Sequence, residues 1–202
     1  MGTDASSPRS TSVFEEASHW FRRARASLLE AIPCGPSCCA CCVGIFPITR
    51  LDAKTLRLGL ESLPPTQREA ITTRAAHQVG LIEASYPPLR ATPYLDEWAD
   101  PAIDEMVGRF ADLPCPALGI DGSCQVYAFR PITCRTMGIP SESRGLVDGA
   151  CTVQTAVPIV RLSPSFQAEL ARLAEHEAAA LSALGQDQLQ TGDELPLPYG
   201  FL

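Results

Sequence analysis

The sequence predicts a mainly α-helical protein whose irregular, cysteine-rich loops converge on a metal or cluster site. Three observations carry this expectation. Apolar residues recur at helical spacing in several segments of the 202-residue chain. The nine cysteines fall between those segments. Eighteen prolines and fourteen glycines punctuate the connections. A chain of this length reads as one domain spanning 1–202, with a cysteine-cluster region at 34–152 between an N-terminal helix and a C-terminal one.

The first helix is expected over 12–32. Ser12-Val13-Phe14-Glu15 fits a capping box, and Phe14, Ala17, Phe21, Ala24, Leu28 and Ile32 follow at helical spacing. Pro33 ends it. Cys34 to Phe46 is a cysteine-rich loop. Thr49-Arg50-Leu51-Asp52 resembles a second N-cap, leading a helix to about Leu63. After the break at Pro64-Pro65, Thr66-Gln67-Arg68-Glu69 is expected to cap a third helix with an apolar stripe of Ile71, Ala75, Val79 and Ile82. A fourth helix should begin near Asp100-Pro101 and bury Ile103, Met106, Val107 and Phe110. Cys115 to Cys134 forms the second cysteine-bearing segment, with a turn at Asp121-Gly122. Ser141 to Gly149 reads as a loop and Thr152 to Val160 as a short strand. Ser163-Pro164 opens the last helix, over 163–185, which Gly185 closes. The final dozen residues read as a tail.

Composition excludes several classes of function. The net charge of -7 opposes general affinity for nucleic acid. Lys54 is the only lysine among 16 basic residues. Met1 to Thr11 carries no apolar secretory signal. The longest uncharged run, Ala31 to Thr49, holds three prolines, two glycines and five cysteines, which suit neither a helix nor lipid. The expectation is a cytoplasmic protein with no membrane or nucleic-acid partner, whose thiols stay reduced. No G-x-S-x-G, P-loop or G-x-G-x-x-G motif is present. The three histidines, His19, His77 and His176, are far from any cysteine and read as helix residues. Trp20 and Trp98 read as packing groups. Asp96, Glu97, Asp100, Asp104 and Glu105 read as a solvated acidic face.

The cysteines therefore carry the chemistry. Cys34, Cys38, Cys41 and Cys42 give C-x3-C-x2-C-C, with Cys39 as an extra thiol. Spacings of two or three residues let successive thiolates turn inward on one ion or cluster. Adjacent Cys41 and Cys42 cannot easily point the same way from extended backbone. They either serve two sites or stand one behind the other. Cys115, Cys124, Cys134 and Cys151 supply four dispersed thiols. The eight would fill two tetrahedral sites, or one site plus a redox pair. Arg130 and Arg135 flank Cys134, where they either offset thiolate charge through N–H donors or pair with surface carboxylates. Unliganded redox thiols at Cys38-x2-Cys41 or Cys39-x2-Cys42 are a further reading, without the strand–helix context of thioredoxin-like motifs.

These motifs resemble a known family. Cys34-x3-Cys38-x2-Cys41-Cys42-x-Gly44-x-Phe46-x-Ile48 looks like the opening motif of the YkgJ-type cysteine-cluster proteins. Cys115-Pro116-Ala117-Leu118, Asp121-Gly122-Ser123-Cys124-Gln125-Val126-Tyr127 and Arg130-Pro131-Ile132-Thr133-Cys134-Arg135 look like its second motif. Ala150-Cys151-Thr152 resembles the late cysteine of one branch. The resemblance covers Cys34 to Thr152 and implies zinc or iron chelation, the iron as an iron-sulfur cluster in one reading. It implies roles in loop geometry and ligand support for Tyr127, Arg130 and Pro131. Cys39 departs from the pattern. The implied function is metal binding through Cys34, Cys38, Cys41, Cys42, Cys115, Cys124, Cys134 and Cys151, with Tyr127, Arg130 and Arg135 behind them. The alternative is an iron-sulfur-dependent oxidoreductase or another cluster-dependent enzyme. No residue set besides the cysteines advertises a reaction.

Overall fold

A computed structural model describes residues 12–27, 38–139, 141–143, 146–148, 163–186 and 192–202. Its architecture is mainly α-helical, as the sequence predicts. The helices are α1 (Val13–Ser27), α2 (Arg50–Glu61), α3 (Pro65–Ser85), α4 (Asp100–Arg109), the short α5 (Ile132–Thr136) and α6 (Pro164–Gln186). Four three-residue strands form two antiparallel pairs. β1 (Pro47–Thr49) pairs with β4 (Glu194–Pro196), and β2 (Ser141–Ser143) pairs with β3 (Leu146–Asp148). Among the described residues, no helix is long and apolar enough to cross a membrane.

Local chemistry explains the helix starts. Ser12 Oγ accepts from Glu15 N at 3.3 Å while Glu15 Oε2 accepts from Ser12 N at 3.0 Å, closing the expected capping box. Thr49 and Asp52 close a second one at the head of α2. The third helix begins two residues earlier than expected. Pro65 takes the first helical position and Pro64 the cap, so Thr66 lies inside the first turn and caps nothing. Proline's fixed φ is already helical, and its missing N–H costs nothing there.

The main core joins α2, α3, α4 and the C-terminal segment. The expected α3 stripe of Ile71, Ala75, Val79 and Ile82 is buried in it, together with Leu56, Leu60, Leu95 and Met106. Two smaller clusters hold α1 to α5 and α6 through Val13, Ala17, Trp20, Ala24, Ile132, Ile139 and Leu173. Trp20 packs as expected, and its Nε1 donates to the Phe166 carbonyl at 3.1 Å. Trp98 packs against Tyr86 with ring centroids 5.8 Å apart.

Two expectations are corrected. The segment read as a loop over Ser141 to Gly149 contains the β2–β3 hairpin. The last dozen residues are not a tail. After β4, a 3-10 turn over Leu197–Phe201 buries Leu197, Tyr199 and Phe201 in the main core. This strap lies against α2 and α3. Gly200 permits the approach, since a Cβ there would stand 2.6 Å from Ile48 Cδ1. Part of the acidic stretch anchors the same strap. Asp96 accepts from the backbone N–H groups of Asp193 and Glu194 at 2.8 and 3.2 Å, so it is not merely a solvated charge. Leu195, Leu197, Tyr199 and Phe201 alternate along the strap at every second position, a period-two signal that the reading as a tail missed.

Cys34, Cys151, the end of the first helix over 28–32 and the expected strand over 152–160 lie outside the described residues.

Candidate metal centre

Six of the eight expected ligand cysteines line one cavity. Cys38, Cys41, Cys42, Cys115, Cys124 and Cys134 share its wall with Phe46, Leu56, Leu197 and Phe201. Its volume is about 50 Å³. Cys39 is not among the lining residues, which agrees with its departure from the motif.

Three segments bring these thiols together. A 3-10 turn over Ala40–Cys42 sets Cys41 and Cys42 side by side on the cavity. The expectation that neighbours cannot easily point the same way applies to extended backbone; here the backbone is a 3-10 turn and both residues line the cavity. The first motif is then stitched to the second. Cys115 N donates to the Cys42 carbonyl at 2.8 Å, and Gly44 N donates to the Leu113 carbonyl at 2.7 Å. Gly44 sits at φ 93°, where a side chain would be strained, and its missing Cβ keeps it clear of the Ala111 carbonyl.

Helix α3 fixes the flank of Cys115. Arg74 Nε donates to the Pro116 carbonyl at 2.8 Å and Gln78 Nε2 to the Pro114 carbonyl at 2.7 Å. Cys124 returns along a tight turn in which Leu118 and Cys124 form a bridge. Asp121 Oδ1 accepts from Ser123 N at 3.0 Å and so shapes that turn.

Cys134 rides on α5. Buried Asp52 accepts from the Ile132 N–H at the head of that helix, at 2.9 Å. The same carboxylate accepts from Thr49 N at 3.2 Å. Asp52 therefore ties the start of α2 to the helix that carries a candidate ligand. Sequence reasoning found its capping role and missed this second one. It also missed Arg74 and Gln78. Gln78 stands beside the apolar stripe of α3, and nothing in its spacing points to Pro114.

The two arginines divide their work. Arg130 lines the cavity, with its guanidinium 3.6 Å from the centroid of the Tyr127 ring. Arg135 does not line it. Arg135 instead donates to the carbonyls of Arg130 and Ala128 at 2.8 and 2.5 Å and to Ser18 Oγ at 2.8 Å. It braces the 127–130 turn against α1. Neither arginine pairs with a carboxylate among the described residues.

The thiols are electrostatically strained. The Cys42 S–H donates to the Cys41 sulfur, which draws the Cys41 thiol below its ordinary range and holds Cys42 far above it. Burial pushes Cys115 up to about 12. Burial also raises Cys124 and lifts Cys134 well above the usual thiol range, with the neighbouring cysteines adding to the rise. Arg130 pulls against this at Cys41, Cys124 and Cys134. A crowded group of half-buried thiols does not readily ionise together without a compensating cation.

His19, His77 and His176 do not line the cavity. His176 Nδ1 lies 3.0 Å from Glu16 Oε2 instead. Among the described residues, no three His, Cys, Asp or Glu side chains are gathered closely enough to hold an ion as they stand. The cavity assembles the thiols without closing a coordination shell. No protein-family model, curated protein or solved structure matches the chain.

Proposed function

We propose that the protein binds zinc or iron, the latter as an ion or an iron-sulfur cluster, through the cysteines of this cavity. The observation that carries the reading is the convergence of six thiols, from three separate segments, on one small, apolar-walled space. Donor chemistry fits a thiophilic metal, because thiolate is the preferred ligand of zinc and of iron-sulfur clusters. The size of the space fits as well. Organic ligand pockets usually run to roughly 300–1,000 Å³, far above the volume here.

Cys38, Cys41, Cys42, Cys115, Cys124 and Cys134 would hold the metal, once their side chains close the shell that the structure leaves open. When bound, the metal supplies the positive charge that ionised thiols need. Cys34 and Cys151 complete the proposed set from outside the described residues. Arg130 offsets part of the remaining thiolate charge, since four thiolates on Zn²⁺ leave a formal charge of about -2. The resemblance of the two motifs to the YkgJ-type cysteine-cluster proteins supports the same reading.

The test is anaerobic purification followed by elemental analysis and a visible spectrum. At least one zinc or one iron-sulfur cluster per chain is expected. A dithionite-bleached absorption band would identify a cluster, and a colourless zinc-loaded protein would identify zinc. Protein with intact thiols that retains neither, and takes up neither on reconstitution, refutes the proposal.

A further inference from the structure

The thiol cavity gathers more donors than one metal ion can use. A closed zinc site takes four ligands in a tetrahedron, whereas six cysteines line this space. Those cysteines do not fall into two separate groups. Cys41 accepts from the Cys42 S–H, the main cause of the rise at that neighbour. Burial is the first cause of the rise at Cys115, Cys124 and Cys134, and the Cys41 charge adds to it at all three. Coulombic repulsion falls with distance, so a sulfur that reaches four others stands near the middle of the set. Its place among them, not its titration, is what counts here.

Bonds and charges then limit the filling. Two tetrahedral ions need four bonds to sulfur each. The six lining thiolates supply that many only when two of them bind both ions. A single divalent ion that drew in all six would leave a formal charge of about -4. Arg130 is the one cationic side chain among the described lining residues, and the apolar wall makes the excess costly. A single ion on four thiolates would leave two of the lining thiols without a role. Two ions on six thiolates leave about -2, the same remainder as an ordinary four-thiolate zinc site.

On the metal-binding reading above, we infer that this cavity takes two divalent thiophilic ions, of the zinc class, and that Cys41 is shared between them as a bridging thiolate. Adjacent Cys41 and Cys42 then need not clasp one ion. Cys42 serves one of the pair, and Cys41 serves both. Cys34 and Cys151 lie outside the described residues, and the bond count does not draw on them.

Cobalt(II) titration of the reduced, metal-free full chain tests this. High-spin cobalt replaces zinc in thiolate sites and carries unpaired spins, and a thiolate bridge couples two such ions antiferromagnetically. The sulfur-to-cobalt absorption should grow to about two equivalents per chain, by which point the paramagnetic resonance signal has collapsed. Cys39→Ser should reproduce this behaviour, since Cys39 does not line the cavity. Cys41→Ser, with its helicity checked by circular dichroism, should lose the collapse. Saturation at one cobalt per chain overturns the shared pair and leaves the metal reading standing. So do two equivalents whose signals simply add, which would mean two unshared sites, and so does protein purified with an iron-sulfur cluster. A collapse that survives in Cys41→Ser overturns the bridging role of Cys41. A chain that takes up no cobalt, zinc or iron overturns the metal reading and the pair together.

Discussion

Asp52 offers the sharpest test of how the fold holds the thiol cavity. Its carboxylate is buried and accepts from two backbone donors, Thr49 N at 3.2 Å and Ile132 N at 2.9 Å. Asp52→Ala opens the capping box of α2, a loss of about 1 kcal/mol. It also leaves the Ile132 N–H buried without an acceptor, which costs about 1–3 kcal/mol. The sum is about 2–4 kcal/mol, read by urea unfolding of the metal-free protein. Asp52→Asn keeps one oxygen for Ile132 and sets an amide donor against Thr49 N. It should cost about 1 kcal/mol, the cap alone. The pH dependence has a definite sign. Burial holds the Asp52 carboxyl above its ordinary value of 3.8, so the folded state binds this proton more tightly. Ionisation therefore opposes folding, and the Asp52 contribution is full below the ordinary value and declines as pH rises through the raised one. Across pH 4 to 7, Asp52→Ala should cost most at the acid end. Equal costs for the Ala and Asn variants, or a cost below about 0.5 kcal/mol for Asp52→Ala, would refute the reasoning, since that is the range of neutral surface changes.

Other perturbations probe the same frame. Phe201→Ala removes a buried wall of both the core and the thiol cavity, and should destabilise by about 3–5 kcal/mol in thermal or urea unfolding. Cys115→Ser should lower metal content measured by elemental analysis, whereas Cys39→Ser should leave it unchanged because Cys39 does not line the cavity. In the metal-free protein, iodoacetamide should label Cys41 ahead of Cys115 and Cys134 near neutral pH, as mapped by mass spectrometry. The direction follows from thiolate reactivity: Cys41 is lowered by its neighbour's S–H, while burial raises the other two. Arg135→Ala should loosen the 127–130 turn and speed metal loss to a chelator. Arg135→Lys should not restore it, because one ammonium cannot reach three acceptors in the planar fork's geometry.

The legible parts of the sequence are those fixed by local rules. Ser12 with Glu15 and Thr49 with Asp52 announce their helices because a cap is satisfied within four residues. The α3 stripe announces its buried face through its spacing. Short cysteine spacing pointed to Cys38, Cys41 and Cys42, whereas the dispersed Cys115, Cys124 and Cys134 entered by the count of thiols and the resemblance of their motif. What stayed hidden is long-range. Gln78 and Arg74 hold carbonyls about forty positions away, and Asp52 reaches Ile132 across eighty. The strap over 192–202 alternates Leu195, Leu197, Tyr199 and Phe201 with Pro196, Pro198 and Gly200, and those breakers favoured the reading as a tail over the period-two signal. Its burial depends on a groove that α2 and α3 build elsewhere in the chain.

The strap also helps explain why the thiol cavity is small and largely apolar. Seven of its lining residues are apolar, and two of these, Leu197 and Phe201, come from the last turn. Apolar walls exclude water and so raise the cost of every thiolate, as the upward shifts at Cys115 and Cys134 record. In such a place the raised thiols, Cys42, Cys115, Cys124 and Cys134, stay protonated until a cation arrives, and its binding must release protons. The metal-binding reading thus requires zinc uptake to acidify a weakly buffered solution, by more than one proton per metal. The site can release this many because, of the thiols whose shifts are resolved, only Cys41 lies below its ordinary range. Release of one proton or none on zinc uptake would mean that the thiols were already ionised, and that the walls do not set their charge.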